Sequence, residues 1–290
     1  MMNTVVFSVI YPQAEQYFLT FLESLSNQTD KNFELFLLND GCGDIDRYLH
    51  KVDISVKVKS ITGLPASLRK QGIAWVKREK FDMIIFADSD DYFAEDRVEL
   101  AKSTLDENDI MVNELVLFGK NIPIPVSLLS QHYKNLDFLS ANHLKHCNCM
   151  GLSNTAIRIN KITPFIAKIP DSIVSFDWAL FALCLHEGAK AIINTKTTTY
   201  YRQYGYNIAS PFMIEDEQIM RGVFVKRNHY RLLAQFYNEY DQLADLYGCL
   251  SDKLQSCGSL REQYFDAVKK NSSPFPLWWE PIKSLRELGL

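Results

Sequence analysis

Ile84-Ile85-Phe86-Ala87-Asp88-Ser89-Asp90-Asp91-Tyr92-Phe93 is the stretch on which the fold turns. Met83 to Ala87 is a short apolar run of the kind that fills a strand inside a sheet. The polar residues after it form a turn signal, because Asp and Ser side chains bond nearby backbone amides. In an open α/β sheet such a turn falls at the carboxyl end of a strand, where ligands bind. Asp88 and Asp90 alternate along extended chain, so one turn presents both to a cation and a ribose. Their oxygens suit magnesium or manganese better than zinc. Acidic turns after strands are also common without any ligand, so the cluster alone does not decide between the two.

Outward from this stretch, strand and helix patterns alternate. Val5 to Tyr11, Phe33 to Leu38 and Ser55 to Ser60 read as strands. Glu15 to Ser26 carries Tyr17, Phe18, Phe21, Leu22 and Leu25 at helical spacing, a further helix follows Asp44, and Pro65 opens one that runs toward Lys80. Such alternation predicts a doubly wound, mostly parallel sheet flanked by helices. Further on, Asp109 to Phe118 and Thr155 to Ile159 read as strands, with Pro123 and Pro125 expected to break the pattern between them. Ser175 is placed to cap a helix that ends near His186, with Gly188 just past it. Ala191 to Asn194 and Thr197 to Tyr201 read as two more strands. From Ile214 onward the pattern is almost continuous helix. A boundary near Ser210-Pro211 therefore divides residues 1–210 from a C-terminal helical extension, 211–290.

The 290 residues are 47% hydrophobic and 23% charged, the balance of an ordinary globular chain with a sizeable core. A net charge of −4 gives no basic face for nucleic acid. No basic n-region with an apolar h-region opens the chain, and no apolar run reaches the ~20 residues of a membrane span. A cytoplasmic protein, at most held at the inner face of a membrane, is expected. The six cysteines supply only one close pair, Cys147 and Cys149, and no tetrahedral zinc set, so they are expected to be reduced and structural.

Taken together, Phe7-Ser8-Val9-Ile10-Tyr11-Pro12, Leu22-Glu23-Ser24-Leu25-Ser26-Asn27-Gln28-Thr29, Phe33 through Gly41 and Ile84 through Phe93 resemble the family 2 glycosyltransferases of the GT-A fold. The likeness runs over residues 5 to 210, and the combination is specific where each piece is not. It implies an enzyme that moves one sugar, with inversion, from a nucleoside diphosphate-sugar to a glycan or lipid-linked saccharide, as in polysaccharide or lipooligosaccharide synthesis. UDP is the favoured nucleotide by family frequency. It further implies that Asp40 hydrogen-bonds the base and that Pro12 lines the base pocket with its backbone. Arg69 and Ser89 join the donor site, Asp88 sits on the ribose and metal side, and Asp90 is the main ligand of Mn2+ or Mg2+. Asp177 matches the base that takes the acceptor's proton. Without the likeness, an acid in the first turn of a helix is explained by the helix dipole.

The chain departs from the family pattern at Phe176, where an acid is usual before the base, and at Asn39, where Asp is common. Tyr204 stands where a metal-shell His often follows the last strand. These departures keep open an alternative, a catalytically inactive GT-A-like binding or scaffold protein. A nucleotidyltransferase is disfavoured, since Gln13-Ala14-Glu15-Gln16 replaces the Gly-rich basic loop expected after the first strand. The acceptor is expected against Trp178, Tyr204 and the loop from Cys149 to Asn154. The tail, with Trp278, Trp279, Lys283 and Arg286, is a candidate for peripheral membrane contact, or for packing on the long helix or in a homodimer.

Overall fold

The computed structural model describes residues 2–120, 122–134, 137–204 and 215–290. Its centre is one sheet of ten strands: β1 (Thr4–Ile10), β2 (Glu34–Asn39), β3 (Val56–Ser60), β4 (Met83–Phe86), β5 (Tyr92–Phe93), β6 (Ile110–Gly119), β7 (Ile122–Ser127), β8 (Phe138–Leu139), β9 (Thr155–Arg158) and β10 (Ala191–Gln203). The path across the sheet is β3-β2-β1-β4-β9-β6-β10-β5, with β7 beside β6 and β8 beside β10. The long pairings β3-β2, β2-β1, β1-β4 and β6-β10 are parallel, and the shorter ones are antiparallel. β1 and β4 are buried almost throughout, which is why both read as unbroken apolar runs rather than as alternating strands.

Helices cover both faces. Pro65–Arg78 packs on one side, where Gly72 lets the backbone meet the Phe7 ring so closely that a Cβ would lie 2.0 Å from it. Phe18–Ser26 and Arg97–Leu105 lie on the other side, burying Phe18, Phe21, Leu22, Val98 and Ala101. Helix Phe176–His186 is apolar all round, as befits an element with protein on every side.

Several expectations need correction. Pro12–Tyr17 is a 3₁₀ turn, and the α-helix starts only at Phe18. Pro123 and Pro125 lie within β7, whose residues 123–125 are exposed at the sheet edge, where a missing amide donor costs no ladder bond. The two strands expected between Ala191 and Tyr201 are one, β10, with an irregularity against β6 between Asn194 and Thr198. Among the described residues the C-terminal helical stretch is three long helices, Asp216–Ala234, Asp241–Ser256 and Gly258–Asn271, followed by a single turn at Leu285–Leu288. The boundary near Ser210-Pro211 lies outside the described residues. Among the described residues no helix is long and apolar enough to cross a membrane.

The tail after Asn271 folds back onto the body. Trp278 and Trp279 are 6% and 2% exposed, so neither offers a ring to a membrane surface. Lys226 donates to the Ile282 carbonyl at 2.6 Å, and Gly222 passes beneath Ile282 where a Cβ would clash at 2.6 Å.

Candidate active site

The parallel strands β1, β2 and β4 end together, and their polar ends gather there. Asp40 follows β2, with its amide bonded to the Ile10 carbonyl at 2.8 Å. Asn39 closes the turn by accepting from the Cys42 amide at 2.8 Å and donating to the Cys42 carbonyl at 3.1 Å. That use of both ends of an amide explains Asn in place of Asp. Gly41 has φ of +85°, a conformation that a side chain would strain. Pro12 follows Tyr11 at the end of β1 and starts the 3₁₀ turn.

After β4 the acidic residues diverge in role. Asp88 is partly open and faces the Arg69 guanidinium at 3.9 Å. The surrounding protein desolvates its carboxyl and, with Asp90 and Asp177 nearby, pushes it up to about 6, although Arg69 pulls the other way. Asp90 is nearly buried, and its Oδ2 accepts from the hydroxyls of Tyr204 at 2.7 Å and Tyr11 at 3.0 Å. Ser89 is fully buried and donates to the Val9 carbonyl at 2.8 Å. Its hydroxyl thus ties β1 to the turn and is not turned toward a donor, contrary to the sequence expectation.

Asp91 is a buried acid that sequence reasoning passed over. It accepts from Ser153 Oγ at 2.5 Å and from the Arg202 amide at 2.9 Å, and burial raises its carboxyl well above the usual range. Beneath it, fully buried Arg97 donates to the Phe86 and Ser153 carbonyls, each at 2.7 Å, and to Asn113 Oδ1 at 3.1 Å. Burial lowers Arg97 to about 9, with Asp91 and Asp88 opposing the shift. Nothing in the sequence near Arg97 marks it as interior, since an arginine opening a helix ordinarily lies on the surface.

Asp177 stands in the first turn of Phe176–His186. Its Oδ2 accepts from Asn148 Nδ2 at 3.0 Å, and its Oδ1 from Ser175 Oγ at 3.3 Å. Burial raises its carboxyl, while the Trp178 amide, Arg69 and Ser175 hold it down in part. Ser175 is the residue before the helix, yet its hydroxyl serves Asp177 rather than an amide of the first turn. Arg69 bears on both Asp88 and Asp177, and Asp177 on Asp88, so these acids and the guanidinium lie within electrostatic reach of one another.

The expected acceptor residues fare differently. Trp178 is fully buried, stacked on His229 at 3.7 Å with Nε1 donating to the Leu144 carbonyl, and so presents no face to a sugar. Residues 149–154 are likewise buried and form part of the floor through Ser153. Tyr204 lies against Asp90, on the cation side. Phe176 is a core residue at 3% exposure, which excludes an acid there without a partner.

Among the described residues no three His, Cys, Asp or Glu side chains converge as a metal cluster. Asp88 and Asp90 nevertheless fit a hard divalent cation. They are carboxylate oxygen donors from one turn, the ligand type that such a cation prefers. A cation bound by two carboxylates takes its other ligands from substrate phosphates or water.

A doubly wound, mostly parallel sheet with an acidic turn after β4 is the architecture of the GT-A fold. The chain belongs to glycosyl transferase family 2, whose model matches residues 6–150, half of its length. It is 22% identical over 258 residues to TarS, the poly(ribitol-phosphate) β-N-acetylglucosaminyltransferase of Staphylococcus aureus, covering 81% of this chain and 44% of TarS. An uncharacterized glycosyltransferase of Haemophilus influenzae is 24% identical over 249 residues, covering 81% of this chain and 94% of that protein. The chain thus spans less than half of TarS but nearly all of the latter. In three dimensions it resembles S. aureus TarS 1–349 in complex with UDP at a TM-score of 0.59, with 18% identity and coverage of 84% of this chain and 70% of the other. The mannosyltransferase PcManGT of Pyrobaculum calidifontis, in complex with GDP-Man and Mn2+, gives 0.56, with 11% identity and coverage of 93% and 83%.

Proposed function

We propose that the protein transfers a single sugar, with inversion, from a UDP-sugar to a glycan or lipid-linked saccharide acceptor in cell-surface polysaccharide or lipooligosaccharide synthesis. In this reading residues 1–210 bind the donor and carry the chemistry, and residues 211–290 are a helical extension. The observation that carries it is the ion pair of Asp88 with Arg69 after β4, with Asp90 and Asp177 close enough to act on the same carboxyl. The UDP bound to TarS supports the choice of nucleotide, and the GDP-Man bound to PcManGT supplies the rival to test.

Asp40 and the backbone at Pro12 hold the base, and Asp88 faces the ribose. Asp177 accepts the proton of the acceptor hydroxyl as that oxygen bonds to the anomeric carbon. The bond from that carbon to the diphosphate oxygen breaks on the opposite face, and the diphosphate leaves with the electron pair. Arg69 offsets part of the charge that the diphosphate gains. Asp88 and Asp90 would hold Mn2+ or Mg2+, which supplies further positive charge against the leaving group when bound. A carboxyl raised by burial, as Asp177's is, makes a better proton acceptor than an exposed one.

The test is a thermal-shift panel of UDP, GDP, dTDP and CMP, each with Mn2+, Mg2+ or EDTA. Ligands that bind only the folded state raise the melting temperature by mass action. UDP is expected to stabilise in the presence of Mn2+ and to lose most of that effect in EDTA or in Asp90→Ala. Stabilisation by GDP alone would overturn the choice of nucleotide. No shift with any nucleotide would favour a scaffold without catalysis.

A further inference from the structure

The carboxylate of Asp177 is held by two donors whose polarity is fixed from behind. Asn148 Oδ1 accepts from the Met150 amide at 3.0 Å, and an amide nitrogen only donates there. Asn148 must therefore turn its NH2 toward Asp177 Oδ2, 3.0 Å away. On the other side, Trp279 Nε1 lies 3.1 Å from Ser175 Oγ. The indole N–H is a donor only, so Ser175 accepts from it, and its own hydroxyl proton is left to face Asp177 Oδ1. Asn148, Ser175 and Trp279 are 1%, 5% and 2% exposed, so water does not compete for these bonds.

The C-terminal tail braces both arms, Asn148 through its backbone and Ser175 through its hydroxyl. The Asn148 amide donates to the Trp278 carbonyl at 2.9 Å, joining that loop to the tail as a single antiparallel bridge. Trp278 packs edge-on against Tyr201 at 5.5 Å and touches Gly151, where a Cβ would come within 3.0 Å. Trp279 itself has φ of +66°, and Lys80 is the only other non-glycine with positive φ among the described residues. A bulky residue is strained in that conformation and persists in it where its surroundings demand it. Here the strained backbone points the Trp278 carbonyl at Asn148 and the Trp279 indole at Ser175.

We infer that the tail is a working part of the active site, with Trp279 and Asn148 as positioning residues that aim and ionise the Asp177 carboxylate through two converging hydrogen bonds. The inference rests on Asp177 being the base. Arg69 and Asp88 are the other charged groups that bear on Asp177, and they come from elements the tail does not touch in this way.

Two variants test it on the full-length protein, Asn148→Ala and Trp279→Phe, the latter keeping an aromatic ring while removing only the N–H. Asp177 is titrated by carboxyl 13C NMR, its signal assigned by its loss in Asp177→Asn. Removing a hydrogen bond to a charged group raises the acid constant by about one pH unit. That shift is expected in Asn148→Ala, with a smaller one of the same sign in Trp279→Phe. Alongside, UDP release from UDP-GlcNAc with Mn2+ is expected to lose kcat in both variants at unchanged KM, with its acid limb moved to higher pH. An unmoved Asp177 titration in folded Trp279→Phe overturns the inference even if the variant melts lower, because mere loss of packing would lower stability without shifting that limb. Should Asp177→Asn turn over the donor at the wild-type rate, the assignment of Asp177 as base fails, and the titration still decides the clamp.

Discussion

At the scale of single residues, Tyr204 bears most directly on the cation site proposed at Asp90. Its hydroxyl, with that of Tyr11, occupies Oδ2 of Asp90. A phenol that donates to a carboxylate lowers the basicity of that oxygen and competes with a cation for it. Tyr204→Phe is therefore expected to lower the Mn2+ concentration needed for half-maximal stabilisation by UDP, measured by thermal shift. A higher requirement would show instead that the phenol helps to hold the cation. Asp40, Asp88, Asp90 and Asp177 were legible as candidates because each lies in a turn or first helical turn beside strand-like sequence. Arg97, Asp91 and Asn148 were not, because their roles come from partners on other elements, 11 to 111 residues away.

Among the elements, helix Asp216–Ala234 shows how the C-terminal helices are fixed to the rest of the protein. Its inner face buries Val223, Lys226, His229, Tyr230 and Leu233, and Gly222 makes room for Ile282. The apolar stripe was visible in the sequence, but two charged-type residues inside it were not. Burial pushes the Lys226 ammonium down to about 8 from an ordinary 10.5, with Cys147, Glu287 and Glu280 opposing. Between those values the unfolded chain holds more protons than the folded one. The cost of burying this charge is therefore fully present below pH 8 and relieved toward pH 10.5. Urea unfolding of wild type and Lys226→Met should show the difference between them moving in favour of wild type by about 2 kcal/mol from pH 7.5 to 10. A difference independent of pH would place the charge in a better-solvated site. Taking the difference cancels Cys149 and Cys184, whose pKa values, raised by burial, act in the opposite sense in both proteins.

For the whole molecule, one hydrophobic cluster runs from Val5, Phe7 and Ile84 through Trp178 and Phe181 to Tyr230, Trp279 and Ile282. The division into 1–210 and 211–290 is thus a proposal about roles, since packing makes the two parts interdependent. A chain ending at Tyr204 would uncover Trp178 and leave Asn148 and Ser175 without their tail partners. It is expected to give no cooperative thermal transition by near-ultraviolet circular dichroism, whereas an intact, cooperative unit would show that the extension is dispensable for folding. By itself the sequence determined the α/β alternation, the family and the acidic turn after β4. Those are local signals, carried by periodicity and by turn chemistry within a few neighbouring residues. Only the tertiary structure decided that Trp178 is core, that Ser89 braces β1, and that the tail reaches Asp177. Burial and hydrogen-bond direction depend on which distant residues meet, and no periodicity in one segment records its partners in another.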